Sequence, residues 1–246
     1  MTNSVLLKYE IYRIMLTKKY FYMILLLALW SIDVLMRLII TGFSSTAPFS
    51  EWSYTSFITL FNPILLVILI LLCTSIFSEK EESVRNIIYS TPLSETKYYI
   101  MKGSAIALVF IITTVIPIII SFVYYAFLFE YTEYLNFILP IVLFLIPPCI
   151  FIFGLSIILG KINVKLLYAL IPLTFVLGAI NLRILPVWLD VFGNNYLQEC
   201  AIDFYNSNLE IIPYNIPSDF IYSRLIFAAL GILLFSFACK HNSDLK

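Results

Sequence analysis

The residue types that usually carry out catalysis are scarce in this chain of 246 residues. Its one histidine is His241, in a polar stretch that follows the last apolar segment. A histidine metal site or a Ser-His pair therefore cannot form within the apolar segments, because both need an imidazole beside the reacting group. The sequence also lacks the GxxxxGK[ST] loop that binds ATP phosphates. We expect no catalytic residue, metal site or cofactor on this chain.

A second group of candidate residues consists of charges inside apolar segments, where charged side chains are costly and often functional. Asp33 and Arg37 are four residues apart, so on a helix they share a face and can form an ion pair. One interpretation is a structural pair that holds its helix against neighbouring helices. The other is a polar contact on the path of an amphipathic cargo. Arg183 and Arg224 are instead expected to anchor helix ends at the membrane interface.

The composition indicates that membrane-spanning helices position these residues. The chain is 61% hydrophobic and 12% charged, whereas soluble domains have about 45–50% and about 25%. About 20 apolar residues cross the hydrocarbon layer. Six segments reach this length, at about 20–41, 57–77, 104–129, 135–159, 166–185 and 221–239. The sequence therefore predicts an all-α polytopic membrane protein in which residues 1–246 form a single domain of six transmembrane helices.

The basic residues predict the orientation of these spans. An even number of spans puts both termini on one side, and twelve of the fifteen Lys and Arg residues fall there. By the positive-inside rule, this is the cytoplasmic side of a multi-pass plasma-membrane protein. The high content of Ile, Phe, Tyr, Asn and Lys is typical of a low-GC Gram-positive bacterium. The formal net charge of zero argues against nucleic acid as a partner.

Residues 1–19 are predicted to form an amphipathic helix before the first span. Glu10, Arg13 and Thr17 fall on one side of it, and Leu7 and Ile11 on the other. This pattern favours a helix that lies in the cytoplasmic membrane interface. The alternative is that the first span simply begins early.

Residues 78–103 connect the second and third spans on the cytoplasmic side. Val84, Ile87 and Ile88 form one apolar stripe, which predicts a short helix from about residue 79 to 89. Pro92 ends this helix, and Ser94 can cap the next one.

This connection resembles the first cytoplasmic loop of the type-2 permeases of ATP-binding-cassette (ABC) exporters. The positions that match the family pattern are Glu79, Glu81, Ile87, Ile88, Pro92, Leu93, Ser94 and Lys102. The chain departs from that pattern at Ser83-Val84, Glu95 and Met101. The six spans, the amphipathic start and the large outer loop at residues 186–220 are also similar to the family.

The resemblance implies a membrane permease subunit that has no enzyme activity of its own. In the family, the loop at residues 78–103 is a coupling helix that docks on an ABC ATPase subunit. Two such ATPase subunits would bind ATP and Mg²⁺, and a second permease copy, identical or homologous, would complete the exporter. The expected cargo is amphipathic: a peptide, a toxin or antimicrobial, a lipid-like molecule or a drug. The alternative is a membrane sensor or receptor subunit that binds a ligand at its outer loop without transport.

The resemblance also implies that residues 186–220 re-enter the membrane and form a closed outer gate. A cysteine at Asn194 or Asn208 is expected to react with reagents from outside, and one at Leu185 to be protected. Within the fourth span, Pro147 and Pro148 are expected to distort the helix most strongly. Gly154, Ser156 and Gly160 match the small-residue pattern of close helix contacts, and the four cysteines are interpreted as packing residues.

Overall fold

The computed structural model describes residues 3–44, 46–78, 81, 83, 95–179, 186–206 and 213–240. Every regular element in this part of the chain is a helix. In chain order the longer helices are α1 Asn3–Met15, α2 Lys18–Val34, α3 Glu51–Cys73, α4 Glu95–Phe129, α5 Ile146–Ile162, α6 Val164–Ala179, α7 Asn194–Asn206 and α8 Ser218–Lys240. Short helical turns extend α2 through Leu35–Ile39 and α3 through Thr74–Phe77, and others precede α5 at Tyr134–Phe137, Ile138–Pro140 and Ile141–Leu145.

Five helical stretches are long and apolar enough to cross a membrane. They are Lys18–Ile39, Glu51–Phe77, Thr96–Phe129, Tyr134–Ile162 and Ser218–Lys240. These stretches correspond to predicted spans one to four and six, as expected for an all-helical, membrane-embedded protein. The fifth predicted span corresponds to α6, which is shorter, and residues 180–185 lie outside the described residues. The six-span topology therefore stays a prediction.

Helix α3 lies at the centre of the bundle and contacts α2, α4, α5 and α6. Its side chains are buried along almost its whole length, as expected of a helix that is apolar on every side. In contrast, α2 and α8 each bury only a few positions and expose large apolar side chains, including Leu29, Trp30, Leu225 and Leu233. In a membrane these exposed faces contact lipid or another protein chain.

Helices α1 and α2 are separate, so the alternative that the first span begins early is wrong. The chain turns at Leu16 and Thr17, where the Thr17 hydroxyl accepts a hydrogen bond from the Tyr20 N–H at 3.2 Å. This bond caps the N-terminus of α2. Helix α1 packs mainly against α4.

The fourth span is distorted next to its two prolines, as predicted, although the helix continues beyond them. The π-helical turn Ile141–Leu145 precedes Pro147 and Pro148, which begin α5. Pro148 has no N–H to donate to the carbonyl of Phe144, four residues earlier. Asn62 of α3 donates from Nδ2 to that carbonyl at 3.1 Å. A side chain from the central helix thus replaces the missing backbone bond.

The predicted close helix contact is confirmed between α5 and α8. A methyl group added at Gly154 would overlap the backbone of Gly231, and one added at Gly231 would overlap the backbone at Ile150. Gly160 faces the ring of Phe77 at similarly short range. The absence of side chains at these positions lets the helices approach this closely.

Candidate functional site

Four charged side chains from three segments meet at one end of the bundle, which we name the basic end. They are Glu10 and Arg13 of α1, Glu81 after α3, and Lys102 of α4. Arg13 Nη2 lies 2.9 Å from both Glu10 Oε2 and Glu81 Oε2. Lys102 Nζ lies 2.8 Å from Glu10 Oε2 and also pairs with Glu81 Oε1. Each carboxylate contacts both cations, so this charge cluster is closed and has no net charge.

The local structure around each member of the charge cluster positions its side chain. Glu10 and Arg13 are three residues apart on α1 and therefore share a face. Lys102 lies one turn after Tyr98 on α4, and the Tyr98 hydroxyl donates to Glu81 Oε1 at 2.9 Å. The Glu81 N–H donates to the Ser78 carbonyl at 2.9 Å, which holds the backbone of Glu81 at the end of α3.

The charge cluster is largely withdrawn from solvent. Glu10, Glu81 and Lys102 are buried, and Lys102 is only 4% exposed. Burial by itself raises the pKa of Glu81, but the hydrogen bond and charge of Lys102, with smaller contributions from Tyr98 and Arg13, lower it below its ordinary value. The Glu81 carboxylate therefore stays charged at neutral pH. Removing one partner leaves a buried charge uncompensated.

A second polar connection lies at the basic end. Lys161 at the end of α5 donates from Nζ to the Ala238 carbonyl of α8 at 3.0 Å. The same ammonium lies 4.7 Å from the centre of the Tyr99 ring on α4. The ends of three spans are thus joined beside the charge cluster.

Two of the eight predicted coupling positions are described, and the structure brings them together. Glu81 and Lys102 form an ion pair within the charge cluster. The other six, Glu79, Ile87, Ile88, Pro92, Leu93 and Ser94, lie outside the described residues. Their role in docking stays a prediction. Sequence reasoning missed Glu10 and Arg13 as members, although two opposite charges three residues apart on an amphipathic helix were a usable signal.

Asp33 and Arg37 form the expected ion pair, with Arg37 Nε 2.8 Å from Asp33 Oδ1. Their side chains are 42% and 76% exposed, respectively. Neither residue pairs with any other side chain in the described part of the chain. Whether the pair holds the first span against neighbouring helices or lies on a cargo path stays a prediction. The pair lies on the outside of the bundle, where it meets lipid or another chain.

The prediction that Arg224 anchors a helix end at the membrane interface is wrong. Arg224 is 1% exposed. Its Nη1 donates to the Val191 carbonyl at 2.5 Å, and its Nη2 donates to the Asp190 carbonyl. The guanidinium carbon lies 4.1 Å from the centre of the Phe220 ring. Arg224 therefore fastens the loop before α7 to the start of α8 at the end of the bundle opposite the basic end.

Around α7, the large predicted loop is folded into a structure that we name the α7 cap, comprising residues 186–206 and 213–217. Asp190 orders its beginning, because Oδ1 accepts from the Phe192 N–H at 3.0 Å and Oδ2 from the Asn195 N–H at 2.7 Å. Trp52 of α3 packs edge-on against Phe204 and Tyr214. The α7 cap is thus attached to both α3 and α8.

Of the three positions chosen for cysteine labelling, the structure describes only Asn194. Asn194 is half-buried, and its Nδ2 donates to the Gly178 carbonyl at 2.6 Å. The expectation that a cysteine at position 194 reacts readily from outside stays a prediction. Leu185 and Asn208 lie outside the described residues.

The fold defines an all-helical, membrane-embedded protein with a closed charge cluster at one end and a folded cap at the other. Among the residues whose placement is known, no three His, Cys, Asp or Glu side chains come together as metal ligands. Comparisons of the chain with protein-family models, curated proteins and solved structures found no match.

Proposed function

We propose that this chain is the membrane-spanning permease subunit of an ATP-driven ABC exporter. It binds no ATP and catalyses no reaction. Two separate ATPase subunits hold ATP and Mg²⁺, and a second permease copy, identical or homologous, completes the transport path.

The observation that carries the proposal is the charge cluster. Glu81 and Lys102 are two of the residues that match the coupling loop of type-2 permeases. Their ion pair brings the two ends of the intervening segment together and binds both ends to α1. A docking loop transmits a conformational change of the ATPase only if the ends of the loop are rigidly joined to the spans. Buried, mutually paired charges provide such a connection, because separating any partner is costly.

The charge distribution supports a cytoplasmic location of the basic end. Lysines gather there at the start of α2, the start of α4 and the connection between α5 and α6, at positions 18, 19, 97, 161 and 165. The positive-inside rule assigns this side to the cytoplasm. The ATPase subunits would then meet residues 79–94 in the compartment that contains ATP. The membrane is the plasma membrane of a bacterium.

The lining of the bundle supports an amphipathic cargo. A cavity of about 420 Å³ lies between α3, α4 and α5, and Phe110, Ile118 and Leu145 are among its lining residues. Among the described residues of its lining, only Thr114 carries a hydroxyl group. Such a surface favours the apolar part of a peptide, toxin, lipid-like molecule or drug. The exposed apolar faces of α2 and α8 give a second copy extensive surface on which to pack.

The test is purification of the tagged chain from its native membrane in mild detergent. We expect a P-loop ATPase to copurify. Replacing both Ile87 and Ile88 with Asp should abolish this association while the permease remains inserted, because buried apolar anchors carry most of an interface's energy. Ile162→Asp is the control, because Ile162 is an exposed apolar residue at the basic end outside the docking segment. Wild-type ATPase recovery with the double variant would contradict the docking assignment.

A membrane sensor is the second candidate, and the α7 cap favours it. The outward side of α7 is ordered and exposes Glu199, Ile202, Asp203 and Tyr205, a mixed surface that can contact a ligand. The same purification separates the two candidates. A sensor would copurify with a kinase or a transcriptional regulator and without an ATPase.

A further inference from the structure

Two adjoining cavities form one groove between α2 and α3 in the basic half of the bundle. The cavity nearer the membrane interior, of about 680 Å³, is lined by apolar side chains that include Met23, Leu26, Ile64 and Phe175. The second, of about 470 Å³, lies at the basic end. Lys19, Met23 and Leu71 line both cavities, so the two adjoin along these side chains. We name the two adjoining cavities the α2–α3 groove.

The α2–α3 groove changes in character along its length. Toward the membrane interior its lining is apolar, whereas at the basic end it includes the hydroxyl groups of Thr17, Ser75 and Ser78. Lys19 stands where the two parts meet. Within the described residues, Lys19 makes no ion pair or hydrogen bond, whereas Arg13, the other cation of the lining, is occupied in the charge cluster. The groove therefore offers an apolar slot beside one unneutralised positive charge.

We propose that the α2–α3 groove binds one anionic phospholipid from the leaflet at the basic end, with an acyl chain in the apolar part and the phosphate beside Lys19. The apolar part alone is within the range of about 300–1,000 Å³ that ligand pockets occupy. Each buried methylene of the acyl chain favours binding. A lysine lays its alkyl stem along apolar surface and brings its ammonium to headgroup level. Basic pockets between transmembrane helices recognise anionic headgroups in this way.

Lipid binding in the α2–α3 groove does not require ATPase coupling. It rests on the proposed function only in that the leaflet at the basic end is named the cytoplasmic one. Arg13 and Glu81 of the charge cluster also line the groove. A bound phospholipid would therefore contact the residues that join α1 to the start of the coupling loop.

Binding of the phosphate beside Lys19 is tested by native mass spectrometry of the purified full-length chain, titrated with dioleoyl phosphatidylglycerol. One lysine near a membrane surface attracts an anionic lipid by an amount that corresponds to about fivefold in affinity. Lys19→Gln should therefore weaken binding of the first phosphatidylglycerol about fivefold. Lys18→Gln is the matched control, because Lys18 is adjacent, carries the same charge and lines neither cavity. Equal losses in the two variants, or equal wild-type affinity for dioleoyl phosphatidylcholine, would overturn the proposal.

Binding of the acyl chain is tested by filling the apolar slot of the α2–α3 groove with a larger side chain. Leu26→Trp should reduce retention of the first phosphatidylglycerol at least threefold, because Leu26 lines the slot. Leu29→Trp makes the same change at a position of similar exposure on α2 that does not line the slot. Unchanged melting temperatures would show that both variants are folded. If Leu26→Trp retained the lipid as well as Leu29→Trp did, the slot would not be the binding site and the proposal would be overturned.

Discussion

Lys102 at the foot of α4 lies 2.8 Å from Glu10 of α1, and this ion pair is buried on both sides. It fixes the helix that precedes the first span to the helix that forms the third. Because Glu81 and Arg13 complete the same cluster, Glu81 is held by the same charges. The charge cluster therefore links α1, α4 and Glu81, which follows α3.

The first prediction concerns the stability that this pairing provides. Lys102→Met leaves two buried carboxylates with only Arg13 to neutralise them, and we expect a loss of about 3–5 kcal/mol. Adding Glu10→Gln should recover part of that loss, because the remaining Arg13–Glu81 pair is balanced. Thermal unfolding in detergent measures both effects, with Lys165→Met as the exposed control. A Lys102→Met variant as stable as the control would show that the cluster contributes nothing.

The second prediction is a dependence of stability on pH through Glu81. Its pKa in the folded protein is below the ordinary value of 4.5, chiefly because Lys102 outweighs the effect of burial. A carboxylate with a lowered folded pKa stabilises the protein above its unfolded pKa, and this contribution is lost as pH falls through the folded pKa. The melting temperature should therefore fall below pH 4.5 more steeply for the wild type than for Glu81→Gln. Parallel curves would rule out this contribution.

The third prediction concerns Asp33 and Arg37. Each single change, Asp33→Asn or Arg37→Gln, leaves an unpaired charge on the outer face of the first span. The double variant should be milder than the sum of the singles by about 0.2–0.5 kcal/mol, as for a helical pair four residues apart. A double-mutant cycle on thermal stability measures this coupling. Strict additivity would separate the two residues and favour Asp33 as a cargo contact.

The fourth prediction concerns the distorted fourth span. Asn62→Leu removes the donor to the Phe144 carbonyl and leaves this buried acceptor unpaired, which costs about 1–3 kcal/mol. The same substitution at exposed Asn206 is the control and should have little effect. Chemical or thermal unfolding of the two variants gives the comparison. If Asn62→Leu proved as stable as Asn206→Leu, the π-helical turn would not need its side-chain partner.

The fifth prediction concerns the α7 cap as a gate. In a Cys200→Ser background, Tyr205→Cys should react with an impermeant maleimide from outside, because Tyr205 is exposed, whereas Leu197→Cys should be protected because Leu197 is buried. During ATP turnover Leu197→Cys should become reactive, and the Ile87→Asp, Ile88→Asp change should prevent this. Equal reactivity of Leu197→Cys with and without ATP would exclude a nucleotide-driven gate and strengthen the sensor candidate.

Sequence periodicity located most elements of the fold but misjudged where several polar side chains point. The long apolar runs correctly predicted five long apolar helices, at the positions of predicted spans one to four and six, because a helix that crosses hydrocarbon must be apolar over about 20 residues. The same reasoning placed Arg224 at the membrane interface, whereas it is buried beneath the loop that contains Asp190. Position in a span gives depth in the membrane, but it does not say which side of a helix another segment covers.

The sequence by itself determined the composition, the apolar runs, the bias of basic residues and the four-residue spacing of Asp33 and Arg37. These are local properties, because hydrophobic length and helical period depend only on neighbouring residues. Only the tertiary structure decided that Glu10, Arg13, Glu81 and Lys102 form one closed cluster. It also decided that Asn62 donates a hydrogen bond to the carbonyl of Phe144, and that Asp33 and Arg37 face outward. Each of these depends on how separate helices pack, and packing is set by side-chain shape across the whole bundle.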